Sequence, residues 1–364
     1  MGESLRVGIV GAGKISGQYS ATLARLSQVA VTAVADLDPD RARLLAERHP
    51  GARVVALPDL YAAPDVDVVL NLTTPNQHAA VALAAIAAGK HVYGEKPLAA
   101  NGADARAVLE AATSAGVRVA CAPDTVLGTG VQTARAAVDA GLIGVPHAAT
   151  AFMTGPGHER WHPDPEFYYQ QGGGPLLDMG PYYLTTLVQL LGPVRRVAGM
   201  SSRPRIERTI GDGPRAGTAF PVEIDTHVTG LLEHEGGALT TLMMSFDVWA
   251  AHLPSIELYG SAGSLAVPDP NYFAGDVRHF TAGGDSWAVL PPSAGYANAG
   301  RGVGLLDLAE AVTEDRPHRA AAEVALHVLD VMESIQASAR SGGSVPVGST
   351  CRRPERIPVV VDLG

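Results

Sequence analysis

Leu5-Arg6-Val7-Gly8-Ile9-Val10-Gly11-Ala12-Gly13-Lys14-Ile15-Ser16 decides the fold class of this 364-residue chain. Its first six residues are nearly all apolar, as a strand covered on both faces should be. They run directly into a glycine turn that opens a helical pattern at Ile15. Gly11 permits the tight turn, and Gly13 lets a diphosphate approach the backbone at the positive end of the helix, beside Lys14 and Ile15. Ser16 holds the place of a third glycine and is small enough for close helix–strand packing. A glycine turn alone is a weak signal. The second signal is Asp36, which closes the next strand twenty positions beyond Ser16. Its carboxylate suits both ribose hydroxyls of an adenosine and repels a 2′-phosphate, which selects NAD. Arg41 and Arg43 lie close enough to leave NADP open, and the lesser reading makes Asp36 a helix cap.

Outward from this stretch, short apolar runs alternate with Ala/Leu/Arg stretches of helical period. Residues 5–10, 29–35, 53–56, 66–72, 91–94 and 117–120 read as strands, and 15–25, 39–49, 76–88 and 103–115 as helices. Pro39 behind Asp38 suits a helix start, and Gly89 and Gly116 suit helix ends. Such alternation predicts an α/β domain over residues 1–123, a Rossmann-type doubly wound parallel sheet with right-handed crossovers.

After Cys121 the pattern changes. A helix over 130–140 and a strand over 148–154 lead to an aromatic and polar loop at 155–174, then a helix over 178–191. Residues 194–203, 223–233, 238–246 and 255–259 follow as strands, with Glu235-Gly236-Gly237 as a hairpin turn. Strands without intervening helices predict a mostly antiparallel open sheet in an α+β domain over 124–364. Helices at 304–312 and 320–339 pack back on the first domain, and 359–361 returns as an edge strand.

Composition narrows the function. The chain carries 27 Lys and Arg against 37 Asp and Glu, a net charge of −10, without a basic stripe. That balance argues against nucleic acid or an anionic membrane as partner. Two cysteines, Cys121 and Cys351, make neither a disulfide framework nor a Cys-rich zinc site. No run of about 18 uncharged apolar residues spans a bilayer, and no signal peptide fits before Leu5. The expectation is a cytoplasmic enzyme.

Three further motifs carry chemistry. The fourth strand ends in Thr73-Thr74-Pro75-Asn76 with His78 two residues on, at the sheet edge where such folds bind ligands. Thr74 or Asn76 could also cap the following helix. The fifth strand ends in Glu95-Lys96-Pro97, where a lysine ahead of a proline, in a bond that could be cis, can hydrogen-bond a reacting oxygen. In the second domain, Gly172-Gly173-Gly174 precedes Asp178 and Tyr182, four residues apart on one helix face. An acid and a phenol behind a flexible glycine run suit proton traffic at a carbinol oxygen, although a dipole-compensating aspartate and a packing tyrosine fit the same pattern. In the loop, His158, Glu159, Arg160, Trp161 and His162 offer rings and hydrogen bonds to a sugar, and Trp161 could also cover a nicotinamide. Phe167, Tyr168 and Tyr169 could instead plug a domain interface. Tyr296, Asn298 and Arg301 could edge the pocket or form a turn. A metal site from His158, His162 and Glu159 has ligand chemistry alone in its favour.

Together these motifs resemble the Gfo/Idh/MocA oxidoreductase family over nearly the whole chain, with Glu95-Lys96-Pro97 in register with the dinucleotide loop as the most specific part. The resemblance implies NAD(P)-dependent oxidation of secondary alcohols on sugars, inositols and related polyols, or the reverse reduction, by a homodimer or homotetramer and without a metal. By motif position Lys96 takes the catalytic lysine's role and Asp178 that of its partner carboxylate. Tyr182 stands where many members have histidine, as in the glucose–fructose oxidoreductase and dimeric dihydrodiol dehydrogenase branch. Asp124 stands where many relatives carry asparagine before an arginine. Lys96, Asp178 and Tyr182 are thus the expected catalytic residues, meeting beside the redox ring. Gly11, Gly13, Lys14, Ile15, Asp36, Thr73, Thr74, Pro75, Asn76, His78, Glu95, Lys96 and Trp161 are expected at the cofactor. Lys96, Asp124, Trp161, His162, Asp178 and Tyr182 are expected at the substrate. Two other readings stay open, a dinucleotide-binding regulator without catalysis and an oxidoreductase that never releases its cofactor.

Overall fold

The computed structural model describes residues 4–364. The chain forms two compact units. One holds the sequence as far as Gln132, with Ala294–Leu326 and Pro354–Gly364; the other holds Thr133–Ser293 and His327–Arg353.

In the first unit β1 (Leu5–Val10), α1 (Ser16–Leu23), β2 (Val29–Ala35), α2 (Pro39–Ala46), β3 (Arg53–Val54) and α3 (Leu57–Ala62) follow one another. Then come β4 (Val68–Asn71), α4 (His78–Ala87), β5 (His91–Gly94), α5 (Gly102–Ala115) and β6 (Val119–Cys121). All six strands are parallel, in the order β3-β2-β1-β4-β5-β6. This is the doubly wound sheet that the alternation predicts, with the strand order reversing between β1 and β4. Val7, Ile9, Val68, Val69 and Leu70 are fully buried. Asp38 caps α2 by accepting from the backbone of Asp40 and Arg41, and Gly116 ends α5 at φ +67°. The expected strand over 53–56 shrinks to two residues, because Leu57 and Pro58 begin the short helix α3, which sequence periodicity did not announce.

Later elements are α6 (Thr129–Asp139), β7 (Pro146–Thr154), α7 (Pro175–Leu191), β8 (Val194–Ser202), β9 (Glu207–Thr209), β10 (Ala219–Pro221), β11 (His227–His234) and β12 (Leu239–Ser245). They continue with β13 (Ile256–Gly260), β14 (Gly263–Val267), β15 (Val277–Thr281), β16 (Ala288–Leu290) and β17 (Gly295–Ala297). The chain closes with α8 (Val303–Thr313), α9 (Ala322–Ser341), β18 (Val345–Pro346) and β19 (Val360–Asp362). The second unit is built on a nine-stranded sheet in the order β16-β15-β14-β13-β7-β12-β11-β8-β18. Every pairing is antiparallel except β7 with β12. The β11–β12 hairpin turns at Glu235-Gly236-Gly237, as expected. Alternation along β11 buries Val228 and Leu232 and leaves Leu231 exposed, so one face of the sheet is the core face. Against that face packs α7, over β7, β11 and β12. A Cβ on its Gly180 would stand 2.8 Å from the Met332 sulfur of α9, so the two helices approach closely there. In the first unit β19 returns as an edge strand, parallel to β17. Among the described residues no helix is long and apolar enough to cross a membrane, and both cysteines are free thiols.

Candidate active site

The turn after β1 is shaped for a phosphate. Gly11 sits at φ +100°, and a Cβ there would strike the Leu72 backbone at 2.8 Å. Gly13 is the reverse case, with nothing within 4 Å of where a Cβ would stand. The Ser16 hydroxyl donates to the Gly13 carbonyl at 2.7 Å, tying the helix start back to the turn. No side chain caps α1; Ser16 N donates to the Gly13 carbonyl at 3.1 Å and Gln18 N to that of Ile15 at 3.0 Å, so backbone alone closes the helix start behind the loop. Asp36 is half-buried at the end of β2. One of its carboxylate oxygens accepts from Ala12 N at 2.5 Å and the other from Asp38 N at 2.8 Å. It thus holds the glycine turn and the α2 approach together, and each oxygen keeps a lone pair for a ribose hydroxyl. Leu37 beside it is fully exposed. The open cradle at Gly13, the uncapped helix and the acid at the strand end fit a dinucleotide.

At the ends of β4 and β5 the chain is tied to itself. Asn71 is buried; its amide donates to the His78 carbonyl at 3.0 Å and its oxygen accepts the Thr73 hydroxyl at 2.6 Å. Thr74, Pro75 and Asn76 are exposed, and neither the Thr74 nor the Asn76 side chain caps the helix that follows. His78 is buried, with Nδ1 2.6 Å from the Pro97 carbonyl oxygen and Nε2 3.0 Å from that of Thr73. The expected cofactor contact from His78 is therefore corrected, since both ring nitrogens are occupied by backbone. Its ring instead pins the segment after Lys96, whose peptide bond to Pro97 is cis, to the end of β4. Glu95 is corrected likewise. Its carboxylate is buried, accepting from the Tyr19 hydroxyl and from the Lys96 backbone N–H, each at 2.8 Å. Burial holds the Tyr19 hydroxyl far above its usual range, so it remains a donor to Glu95. Lys96 itself is half-buried.

Asp124 is the third correction. It is fully buried, and one oxygen accepts from the backbone of Gly302 at 2.7 Å and of Gly304 at 3.1 Å. It caps the start of α8 from within the first unit and is not presented to a substrate. Burial pushes its carboxyl upward, and its second oxygen, like the nearby Tyr93 hydroxyl, has no hydrogen-bond partner among the described residues.

In the second unit the start of α7 carries Asp178 and Tyr182. Asp178 keeps 19% of its side chain exposed and lies 3.0 Å from His158 Nε2. Trp161, Tyr168 and Phe246 surround the His158 ring, with centroids at 5.2, 4.5 and 4.5 Å. Tyr182 is buried on the same helix. The glycine run is not flexible in the way expected. A Cβ on Gly173 would lie 2.5 Å from the Phe167 carbonyl and 2.7 Å from that of Tyr168, and Gly174 N donates to Tyr168. Backbone packs on backbone there, fastening the aromatic loop to the helix start.

The turn over 158–160 is held from beneath by Arg208, whose side chain is 1% exposed. Its guanidinium bonds Glu159 at 2.8 Å and Asp247 at 2.6 Å and lies over the Tyr169 ring at 4.8 Å. The Tyr169 hydroxyl donates to Glu159 and accepts from His158 N. Glu159 is anchored inward, His158 sits within the aromatic cluster beside Asp178, and Arg160 is exposed. Glu159 is thereby lost to any metal site with His158 and His162. Among the described residues no group of three or more His, Cys, Asp or Glu is placed to hold a metal ion. His162 accepts from Asp164 N at 3.1 Å, and Trp161 is half-exposed.

The structure brings together Gly11, Asp36 and the α1 start in the first unit, and Asp178 with His158 in the second. Lys96 belongs to the first unit, Asp178 and Tyr182 to the second. His158, read from the sequence only as one of several loop groups suited to a sugar, is the residue the structure pairs with Asp178. Its only sequence signal is its place in an aromatic loop, twenty positions from its partner.

Comparison with known proteins extends this geometry. Residues 5–122 match the oxidoreductase family's NAD-binding Rossmann fold, and residues 131–266 match the GFO/IDH/MocA C-terminal domain. The chain is 28% identical to the trans-1,2-dihydrobenzene-1,2-diol dehydrogenase of Bos taurus, over 85% of this chain and 88% of that protein. It is 31% identical to the dTDP-3,4-didehydro-2,6-dideoxy-alpha-D-glucose 3-reductase of Streptomyces violaceoruber, over 73% of each. The crystal structure of an NAD-binding oxidoreductase from Klebsiella pneumoniae superposes with a TM-score of 0.80 at 25% identity, covering 94% of this chain and 99% of that one.

Proposed function

The chain belongs to the Gfo/Idh/MocA oxidoreductase family, and from that premise we propose that it oxidises a secondary alcohol of a sugar, inositol or related polyol with NAD, or reduces the matching ketone. The observation that carries the substrate half of this reading is the 3.0 Å pair of His158 and Asp178 inside an aromatic surround. Flat rings against a hydrogen-bonding acid suit the C–H face and hydroxyls of a polyol. Gly11, Gly13 and the α1 start would hold the diphosphate, and Asp36 the adenosine ribose, which favours NAD over NADP. When bound, NAD supplies the hydride acceptor at its nicotinamide ring.

Lys96 donates to the carbinol oxygen and stabilises it as its proton leaves. That proton passes to Tyr182 as its phenolate, which becomes the phenol, or directly to Lys96 as its free amine. Asp178 orients the hydroxyl, and His158 in turn fixes the rotamer of Asp178. Trp161 and His162 line the substrate's approach. The relatives named as dehydrogenase and reductase of cyclic diols and deoxysugars support the substrate class. The same reading takes the enzyme as a cytoplasmic homodimer or homotetramer, for which light scattering is the direct measurement.

Absorbance at 340 nm with NAD or NADP and a panel of sugars, inositols and dihydrodiols tests this. A polyol is expected to reduce NAD with a higher kcat/KM than NADP. Lys96→Ala should lose roughly 10²- to 10⁴-fold in kcat while still binding NAD. A fully active Lys96→Ala enzyme, or a protein that binds NAD and turns over no polyol, overturns the reading.

A further inference from the structure

Beside the turn that carries His158, Arg160 lines a cavity of about 370 Å³ within the second unit, together with Glu159, Arg205, Glu207, Arg208 and Trp249. That size falls in the range of small-ligand pockets. The Arg160 guanidinium lies 4.8 Å from the centre of the Trp249 ring and that of Arg205 5.5 Å, both within cation–π reach. Trp249 is 63% exposed, so two arginines are held in place over a tryptophan that the fold has not buried.

The charges around this cavity are unequal in their commitments. Arg208 is charge-paired with Glu159 and Asp247, while its buried Nε has no hydrogen-bond partner among the described residues. Arg160 makes no ion pair among the described residues. For Arg205 the carboxylate in range is Asp247, at 3.8 Å, beyond hydrogen-bond reach. Asp247 is already taken by Arg208 and by the Thr226 hydroxyl, each at 2.6 Å. Two planar forks of N–H donors therefore stand beside the cavity with no hydrogen-bond acceptor among the described residues, Arg205 keeping only the 3.8 Å ion pair to Asp247, against the carboxylate of Glu207 that Arg208 does not neutralise. Guanidinium forks match the paired oxygens of carboxylate and phosphate.

We propose that Arg160 and Arg205, braced on Trp249, form a subsite for an anionic group carried by the polyol substrate, a carboxylate or a phosphate. This rests on the polyol reading above and narrows it from neutral polyols to sugar acids and sugar phosphates. The same turn carries His158, which pairs with Asp178 at 3.0 Å, and Arg160, which lines the cavity two residues on, so the acid-binding groups and the hydroxyl-orienting pair belong to one segment.

Tryptophan fluorescence titration of the NAD-loaded protein with D-glucuronate, D-glucose 6-phosphate and D-glucose tests the site without requiring turnover. An acidic sugar is expected to bind at least tenfold tighter than glucose, with the preference shrinking as salt is raised. Which acid binds tighter separates a carboxylate site from a phosphate site. In R160A/R205A the acid-to-neutral ratio should fall toward one, at unchanged melting temperature, and W249F reports whether the quenching arises at this ring. Equal binding of acid and neutral sugars by the wild type, or a ratio retained in R160A/R205A, overturns the proposal. The two readings fail separately. Turnover of neutral polyols without an acid preference removes the subsite and leaves the oxidoreductase chemistry. Arginine-dependent acid binding with no NADH from any polyol removes the chemistry and leaves the subsite.

Discussion

Asp178 stands in the first turn of α7, where the helix dipole already favours a carboxylate, yet its oxygen is turned to His158 at 3.0 Å. That orientation is what a dipole role alone would not require. His158→Gln keeps a hydrogen-bonding side chain but loses the ring that Trp161, Tyr168 and Phe246 hold in place. Its kcat is expected to drop about 10²-fold with NAD affinity unchanged. Steady-state kinetics with unchanged kcat would reduce the pair to packing. Asp36 and Asp124 make the complementary point. Both are aspartates after a strand of the same sheet, but Asp36 keeps its oxygens at a half-open edge, whereas Asp124 is enclosed and spends its carboxylate on the α8 backbone. Local sequence does not distinguish them, because what differs is the segment over 302–304 that arrives from far along the chain.

At the level of elements, glycines separate binding from packing. Gly13 has open space where a side chain would begin, while Gly173 is pressed against the backbone of Phe167 and Tyr168. Gly13→Ala should melt at the wild-type temperature and bind NAD at least roughly tenfold more weakly, since the added methyl occupies the diphosphate's approach. Gly173→Ala should cost about 1–3 kcal/mol and lower the melting temperature by a few degrees, with the aromatic loop displaced from α7. Calorimetry and an NAD titration on both variants check this, and a Gly13→Ala protein that binds NAD normally would contradict the cradle. The strands of the first unit and the β11–β12 hairpin were legible because their apolar runs and turn residues are local. The β9–β10 hairpin and α3 were not. Three-residue strands and a six-residue helix carry too little periodicity, and they form because neighbouring elements supply their partners.

For the molecule as a whole, buried and half-buried histidines set the acid limit. His49, His91, His234, His318 and His327 are all held below the ordinary 6.5, in each case chiefly by burial. Below that pH the unfolded chain takes up protons that the folded rings refuse. The stability they contribute is present above 6.5 and is lost as pH falls. Asp124 and Glu310, pushed upward by burial, act in the opposite sense and offset part of the loss at lower pH. The melting temperature should therefore fall by several degrees between pH 7 and 5.5, and a flat profile over that window would mean that those rings protonate within the fold.

The order of strands and helices, the glycine turn, the acid at Asp36 and the Glu95-Lys96-Pro97 edge were written in the sequence itself, since each depends on residues close enough along the chain to impose a period or a turn. Tertiary structure alone decided that His158 answers Asp178, that Asp124 and His78 serve the backbone, and that Arg160, Arg205 and Trp249 share one cavity. Those partners lie in different segments, and which polar group meets which is settled only when burial forces each one to find a hydrogen bond or a counter-charge in space.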